Sequence, residues 1–247
     1  MNAKLEATDS DPLKAIRSAF ETEHRINFHR HPIRIRQDNG KLRLEGEVGT
    51  IAAKKLAFRI AQRLGGGATI VDALHVIPAQ ARGDGEIGDA FGRSVVGHEE
   101  LRHGTIREQR RAHVETWHEA HDPEAGADIE FSVAEGAITL KGTVISLTHL
   151  RMAEVLAWWT PGCRNVVNLL TVEPPEEDND DELADAIRLV LEMDPVVEEP
   201  QVGVETASGD VTLSGVLRST EQKHMAENDA WAVPGVVEVN NRISLAS

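Results

Sequence analysis

One cysteine, no tyrosine and no long apolar run narrow this chain before any motif is read. Cys163 stands alone, which excludes an intrachain disulfide and fits a reducing compartment. Aromatic residues make up 4% of the 247 residues, so the interior has to be built from aliphatic side chains and alanine. No stretch approaches the roughly 20 apolar residues of a membrane-spanning helix. The opening MNAKLEATDSDPLK has neither the apolar run nor the small-residue cleavage site of a secretory signal, and a cytoplasmic location is expected. Also missing are a Walker loop, G-x-S-x-G, H-E-x-x-H and C-x-x-C. No catalytic residue, cofactor or metal site is expected, and the chain reads as non-enzymatic.

Positive charge is scarce too. The net charge of -15 argues against a general nucleic-acid binder, which needs cations to neutralise phosphates. Residues 1–85 carry +4, residues 86–172 carry -5 and residues 173–247 carry -14. A basic front and an acidic back can orient the molecule towards a partner or its own copy.

What is abundant is repetition. NGKLRLEGEV (residues 39–48) returns as EGAITLKGTV (135–144) and SGDVTLSGVL (208–217). With Gly46, Gly142 and Gly215 as reference points, the positions 13 residues earlier hold Ile33, Ile129 and Val202. Those 11 earlier hold Ile35, Phe131 and Val204, and those 11 later hold Ala57, Ala153 and Ala226. No gap is needed, so the chain is an internal repeat.

Each copy has two period-2 segments joined at Asn39-Gly40, Glu135-Gly136 or Ser208-Gly209, the pattern of a β-hairpin whose glycine supplies positive φ. The second glycine, inside the returning strand, marks a bulge or a close backbone approach. A helix then starts near Thr50, Ser146 and Ser219, where Ser219 with Gln222 fits a capping box. Gly66, Pro161-Gly162 and Pro234-Gly235 end these helices, and TIVDALHV, NVVNLLTV and VEVNNRISL follow as strands. A further helix precedes each hairpin, at Asp11-Pro12, EIGDAF and ELADAI.

The expected fold is therefore α+β: three tandem αββαβ modules, each a three-stranded sheet with two helices on one face. The expected boundaries are a disordered tail over 1–10, module 1 over 11–77, a linker over 78–85 and module 2 over 86–172. An acidic linker follows over 173–180, then module 3 over 181–247.

The pattern x-G-x-[VIL]-x-L-x-G-x-[VL], a helix, then [PG]-G-[VC]-x-x-V-x-N resembles the BON domain of bacterial proteins. PGCRNVVNLL and PGVVEVNNRI carry the ending well, whereas GGGATIVDAL in the first copy lacks the Pro and the Asn. The resemblance implies a bacterial, non-enzymatic binding module with a role in stress response. It further implies phospholipid or cell-envelope attachment in one part of the family and potassium binding in a cytoplasmic branch.

Module 2 carries an insertion at about 98–128, in which TIREQR and HVETWHEA read as a hairpin or, with Ile106, Val114 and Trp117, as a helix. Its histidines, His98, His103, His113, His118 and His121, match no zinc spacing and are expected at the surface. In the acidic linker, Asp178, Asp180 and Glu182 lack the glycine and terminal glutamate of a calcium loop, so a solvated linker with a helix cap is expected.

At ~100° per residue, Trp158 and its repeat-equivalent Trp231 point away from their own module's core, with Trp159 on the boundary and Leu147 and Val155 on the same outer face. Two readings stand. The indoles pack between modules or against a protein partner or a second copy. Alternatively they seat in a headgroup layer while Arg30, Arg34, Arg36 and Arg43 meet anionic phospholipid. The expected function is binding or scaffolding through the Trp-bearing helix, with peripheral phospholipid binding and small-ligand or potassium binding as alternatives.

Overall fold

The computed structural model describes residues 11–38, 40–111, 113–121, 126–197 and 201–246; the tail expected over 1–10 lies outside them. Two compact units divide the chain, one ending at Ile77 and the other starting at Pro78.

The first unit is one module: α1 (Asp11–Thr22), β1 (Arg34–Asp38), β2 (Lys41–Val48), α2 (Ile51–Leu64) and β3 (Thr69–Val76). β1 and β2 pair antiparallel as a hairpin, and α2 carries the chain across so that β3 runs parallel to β2. The alternation in KLRLEGEV drives Leu42, Leu44 and Val48 into a core with Ile16 and Phe20 of α1 and with Leu56, Ala57 and Ile60 of α2. Arg34, Arg36, Lys41 and Arg43 consequently fall on the opposite, open face of the sheet.

The second unit holds two modules. The first of these comprises α3 (Asp84–Gly97), β4 (Thr105–Arg110), β5 (His113–His118), β6 (Asp128–Ala134), β7 (Ala137–Val144), α4 (Leu147–Trp159) and β8 (Asn165–Val172). The other comprises α5 (Asp180–Met193), β9 (Val202–Ala207), β10 (Asp210–Leu217), α6 (Thr220–Ala232), β11 (Glu238–Asn241) and β12 (Ser244–Leu245). In this last module β9 lies antiparallel on one side of β10, and β11 and β12 run parallel to it as one interrupted strand.

The insertion is a hairpin. β4 and β5 pair antiparallel, and β4 joins β6 in parallel, which widens the middle sheet to five strands in the order β5-β4-β6-β7-β8. Two glycines of α3 admit it. A Cβ on Gly92 would stand 2.5 Å from the Trp117 ring, and one on Gly88 would collide with the Glu108 carboxylate. Glu108, buried, accepts from Trp117 Nε1 at 3.0 Å and from Arg110 at 2.8 Å. Its charge is thus paired inside the sheet–helix layer.

The repeated residues have repeated jobs. Glu135 and Ser208 take φ of 53° and 54° ahead of Gly136 and Gly209 at 77° and 78°, two successive positive values as type I′ hairpin turns demand. Gly46, Gly142 and Gly215 sit where the partner strand's carbonyl comes closest. A Cβ there would meet Pro32 O at 3.0 Å, Asp128 O at 2.0 Å and Gln201 O at 1.9 Å. Thr50, Ser146 and Ser219 cap α2, α4 and α6 by accepting from the N–H of Ala53, His149 and Gln222. The Gln222 side chain does not close the reciprocal bond expected of a capping box: it accepts from Arg218 N at 2.9 Å, one residue earlier.

The helix opening each later module also clasps its hairpin. Asp84 accepts from Gly136 N at 2.9 Å and Glu135 N at 3.1 Å, and Asp180 from Gly209 N at 3.0 Å and Ser208 N at 2.7 Å. Asp180, read as the end of a linker, is the first residue of α5, with Asn179 as its N-cap.

Candidate functional site

α4 packs on β7 and β8 of its own sheet and also meets α3, and α5 and α6 of the last module. Trp158 and Trp231 are 8% and 1% exposed, Val155 is buried, and Leu147 is half-buried. Indoles this buried are closed to a headgroup layer in this fold.

Polar groups fix the same contact. Arg151, 1% exposed, pairs with Asp178 at 2.5 Å and donates from Nε to Pro234 O at 3.2 Å, so α4 grips the loop ahead of α5 and the loop after α6. At the other end of α4, Trp159 donates from Nε1 to Asp229 Oδ1 at 3.0 Å. Burial, then a hydrogen bond and repulsion from Asp194, push the Asp229 carboxyl up to about 8, against a smaller lowering by Trp159. His98, the residue after α3, lies 3.5 Å from Met193 Sδ of α5. Burial holds His98 and His149 below the ordinary imidazole value.

Asp178 was expected in a solvated linker and is instead paired with Arg151, whereas Arg151 and Asp229 escaped the sequence reading because charged residues on an outer helix face look solvated, and Asp194 because it follows the last turn of α5. The signal available was Arg151 standing inside an otherwise apolar turn.

A second repeated device links each second helix to the strand that follows. Asp72, Asn168 and Asn241 accept from the N–H two residues on, at Leu74 (2.9 Å), Leu170 (3.1 Å) and Ile243 (3.2 Å). In the later modules the amide also donates, to Leu150 O at 3.4 Å and Lys223 O at 2.9 Å. In the first module Asp72 takes over the position whose Asn the sequence lacks. It pairs instead with buried Lys54 at 2.6 Å, and Lys54 also donates to Leu74 O at 2.7 Å. Burial lowers the Lys54 pKa, against the pull of Asp72.

The arginines singled out for anionic contact divide in two. Arg34, Arg36 and Arg43 share the open face of the first sheet with Lys41, and Arg36 and Arg43 both bridge Glu45, at 3.1 Å and 2.9 Å. Arg30 stands exposed in the loop before β1. The open face of the middle sheet differs: Val167 and Leu169 are exposed at its β8 edge and Val114 at its β5 edge, with Arg107, Glu130 and Lys141 between them. The third carries Glu205 and Asp210.

The histidines do not gather. His118 lies against Gly104 O at 2.7 Å, and among the described residues no group of three or more His, Cys, Asp or Glu is placed to hold a metal ion. Burial pushes the Cys163 thiol up to about 12, which leaves almost no thiolate for nucleophilic attack. No helix among the described residues is long and apolar enough to cross a membrane. What the geometry offers is surfaces: a basic sheet face, an apolar sheet edge and an acidic sheet face.

Comparison with known proteins agrees with this architecture. Osmotically-inducible protein Y of Escherichia coli (strain K12) is 32% identical over 127 residues, which is 49% of this chain and 63% of that protein. The match therefore spans less than two thirds of the relative. Two structures of CdsD, a structural protein of the type III secretion system of Chlamydia trachomatis, align over 90% and 91% of this chain and over 91% and 96% of theirs. They share 14% and 12% identity with a TM-score of 0.25 each, a likeness that carries no argument. The BON domain model matches three times, over residues 8–78, 110–174 and 179–247. Those three matches take in most of the molecule, and each contains one module's hairpin, second helix and closing strand, so the chain belongs to the BON domain family.

Proposed function

We propose that this protein is a non-enzymatic binding protein of the osmotic stress response, and that it works by associating with further copies of itself. The stress role rests on the likeness to osmotically-inducible protein Y. In this reading the Trp-bearing helix does its work within the chain, joining the second and third modules. Intermolecular contact falls to the surface those modules leave open. One observation carries the reading: Val167 and Leu169 lie exposed together on the open face of β8, at the edge of the middle sheet, where an isolated protein gains nothing by presenting them. Sedimentation velocity over a wide concentration range tests it. The expected result is a mass that rises with concentration; a monomer at every concentration contradicts it.

A second reading has its own observation. Arg34, Arg36, Lys41 and Arg43 on one open face form a cationic patch suited to anionic phospholipid, held in check by Glu45 and Glu47 on the same face. Co-sedimentation with phosphatidylglycerol vesicles at low salt is expected and is lost in Arg36→Glu/Arg43→Glu. Binding that ignores both changes contradicts this reading.

A further inference from the structure

Each module ends in a strand that closes its sheet on one side, so three equivalent edges can be compared. β3, TIVDALHV, carries Asp72 and His75, and its open-face residues Val71 and Ala73 are half-buried. The last module's edge is broken between Asn241 and Ser244 and carries Glu238 and Arg242. β8 has no such guard. Its eight residues, NVVNLLTV, contain no charge, proline or glycine. Among the described residues β8 pairs with β7 alone, along its whole length. A long uninterrupted edge leaves a row of backbone donors and acceptors facing outward, a template for another strand. On the adjoining open face Val167 and Leu169 are 38% and 54% exposed.

We infer that β8 pairs antiparallel with β8 of a second copy, across a two-fold axis, so that the two middle sheets become one continuous sheet. The inference rests on the self-association reading and names its surface. A second copy fits this edge by charge: β8 carries none, so two copies of it pair without setting like charges opposite each other, although the whole chain is at -15. In the register centred on Leu169, Leu169 faces its own copy and Val167 faces Thr171, all on the same side of the sheet. Main-chain hydrogen bonds supply attraction, and the paired Val167 and Leu169 side chains supply apolar contact. Because the same strand is used by both copies, the contact is isologous and closes at a dimer.

Sedimentation equilibrium on the full chain, beside Val167→Lys/Leu169→Lys, tests the inference, with thermal melting to verify that the variant folds. Both positions are exposed, so the melting temperature is expected to stay within a few degrees. A dimeric parent and a folded variant with a dimerisation constant weakened at least tenfold support the pairing. A parent that dimerises as tightly as the folded variant overturns the β8 assignment and leaves self-association standing. A parent that stays monomeric overturns both. Should the double variant not fold, Leu169→Cys replaces it, because buried Cys163 is inert and facing Leu169 positions lie within disulfide reach. Rapid oxidation to a covalent dimer then supports the pairing, and oxidation no faster than in Ala73→Cys overturns it.

Discussion

Trp159 donates to Asp229 at 3.0 Å, and through that bond the end of α4 in the middle module is fastened to the last turn of α6 in the last. Asp229 and its neighbour Asp194 are both buried, so the charged form of Asp229 is disfavoured by burial and by a second carboxyl group beside it. Asp194 spends one oxygen on Val196 N at 2.8 Å.

A pH dependence follows with a definite sign. The folded-state pKa of Asp229 is raised to about 8 from 3.8, so between those values the folded chain holds a proton that the unfolded chain has released. Stability is therefore greatest below about pH 4 for this group and falls by up to about 1.4 kcal/mol per pH unit until the pH passes about 8. Asp229→Asn keeps an acceptor for Trp159 and carries no charge. Thermal melts from pH 5 to 9 are expected to slope downwards in the parent and to flatten in this variant, which becomes the more stable of the two at pH 8.

The Lys54–Asp72 pair gives a prediction written by the repeat itself. The middle module has Leu150 and Asn168 at the equivalent positions. Asp72→Asn alone leaves the buried Lys54 ammonium facing a neutral amide and is expected to cost about 3 kcal/mol. Lys54→Leu/Asp72→Asn reproduces the middle module's combination and is expected to recover most of that loss. Urea denaturation of the three chains measures both numbers.

Gly92 and Gly85 both lie in α3, and alanine is ordinarily the better helix former by about 1 kcal/mol. At Gly85 nothing stands within 4 Å of an added Cβ, so Gly85→Ala is expected to stabilise slightly. At Gly92 the Trp117 ring occupies the space, and Gly92→Ala is expected to cost about 1–3 kcal/mol. Opposite shifts in urea midpoint from the same substitution, two turns apart, are the readout.

Arg151→Met removes the charge that links α4 to Asp178 and Pro234 while keeping much of the side-chain volume. Asp178 is 44% exposed and can be rehydrated, so the cost is expected near 2 kcal/mol, the worth of charge-assisted hydrogen bonds. Guanidinium unfolding followed by tryptophan emission is expected to move to lower denaturant.

The repeat made the modules legible because strands and helices bury residues at periods of two and 3.6, and three copies average out local exceptions. The reference glycines were readable for the same reason: each marks a carbonyl pressed against the returning strand. The helix caps at Thr50, Ser146 and Ser219 stood where the sequence put them. The cradle for the inserted hairpin was not legible. Gly88 matters only because Glu108 arrives from a strand that the other two modules lack. Arg151, Asp194 and Asp229 were hidden for a related reason. Periodicity reports which face a helix turns to its own core, and says nothing of a neighbour that buries the opposite face. Asp72 shows the converse, since one family residue was missing by name yet its bond to the following backbone was kept.

Tryptophan emission of the full chain, with brominated phosphatidylglycerol vesicles added, tests most directly whether the outer indoles of α4 and α6 are spent inside the molecule. Shielded emission with weak acrylamide quenching, unchanged by the vesicles even where protein co-sediments with them, is the predicted result. Strong bromine quenching of Trp158 or Trp231, resolved by single Trp→Phe changes, would contradict it.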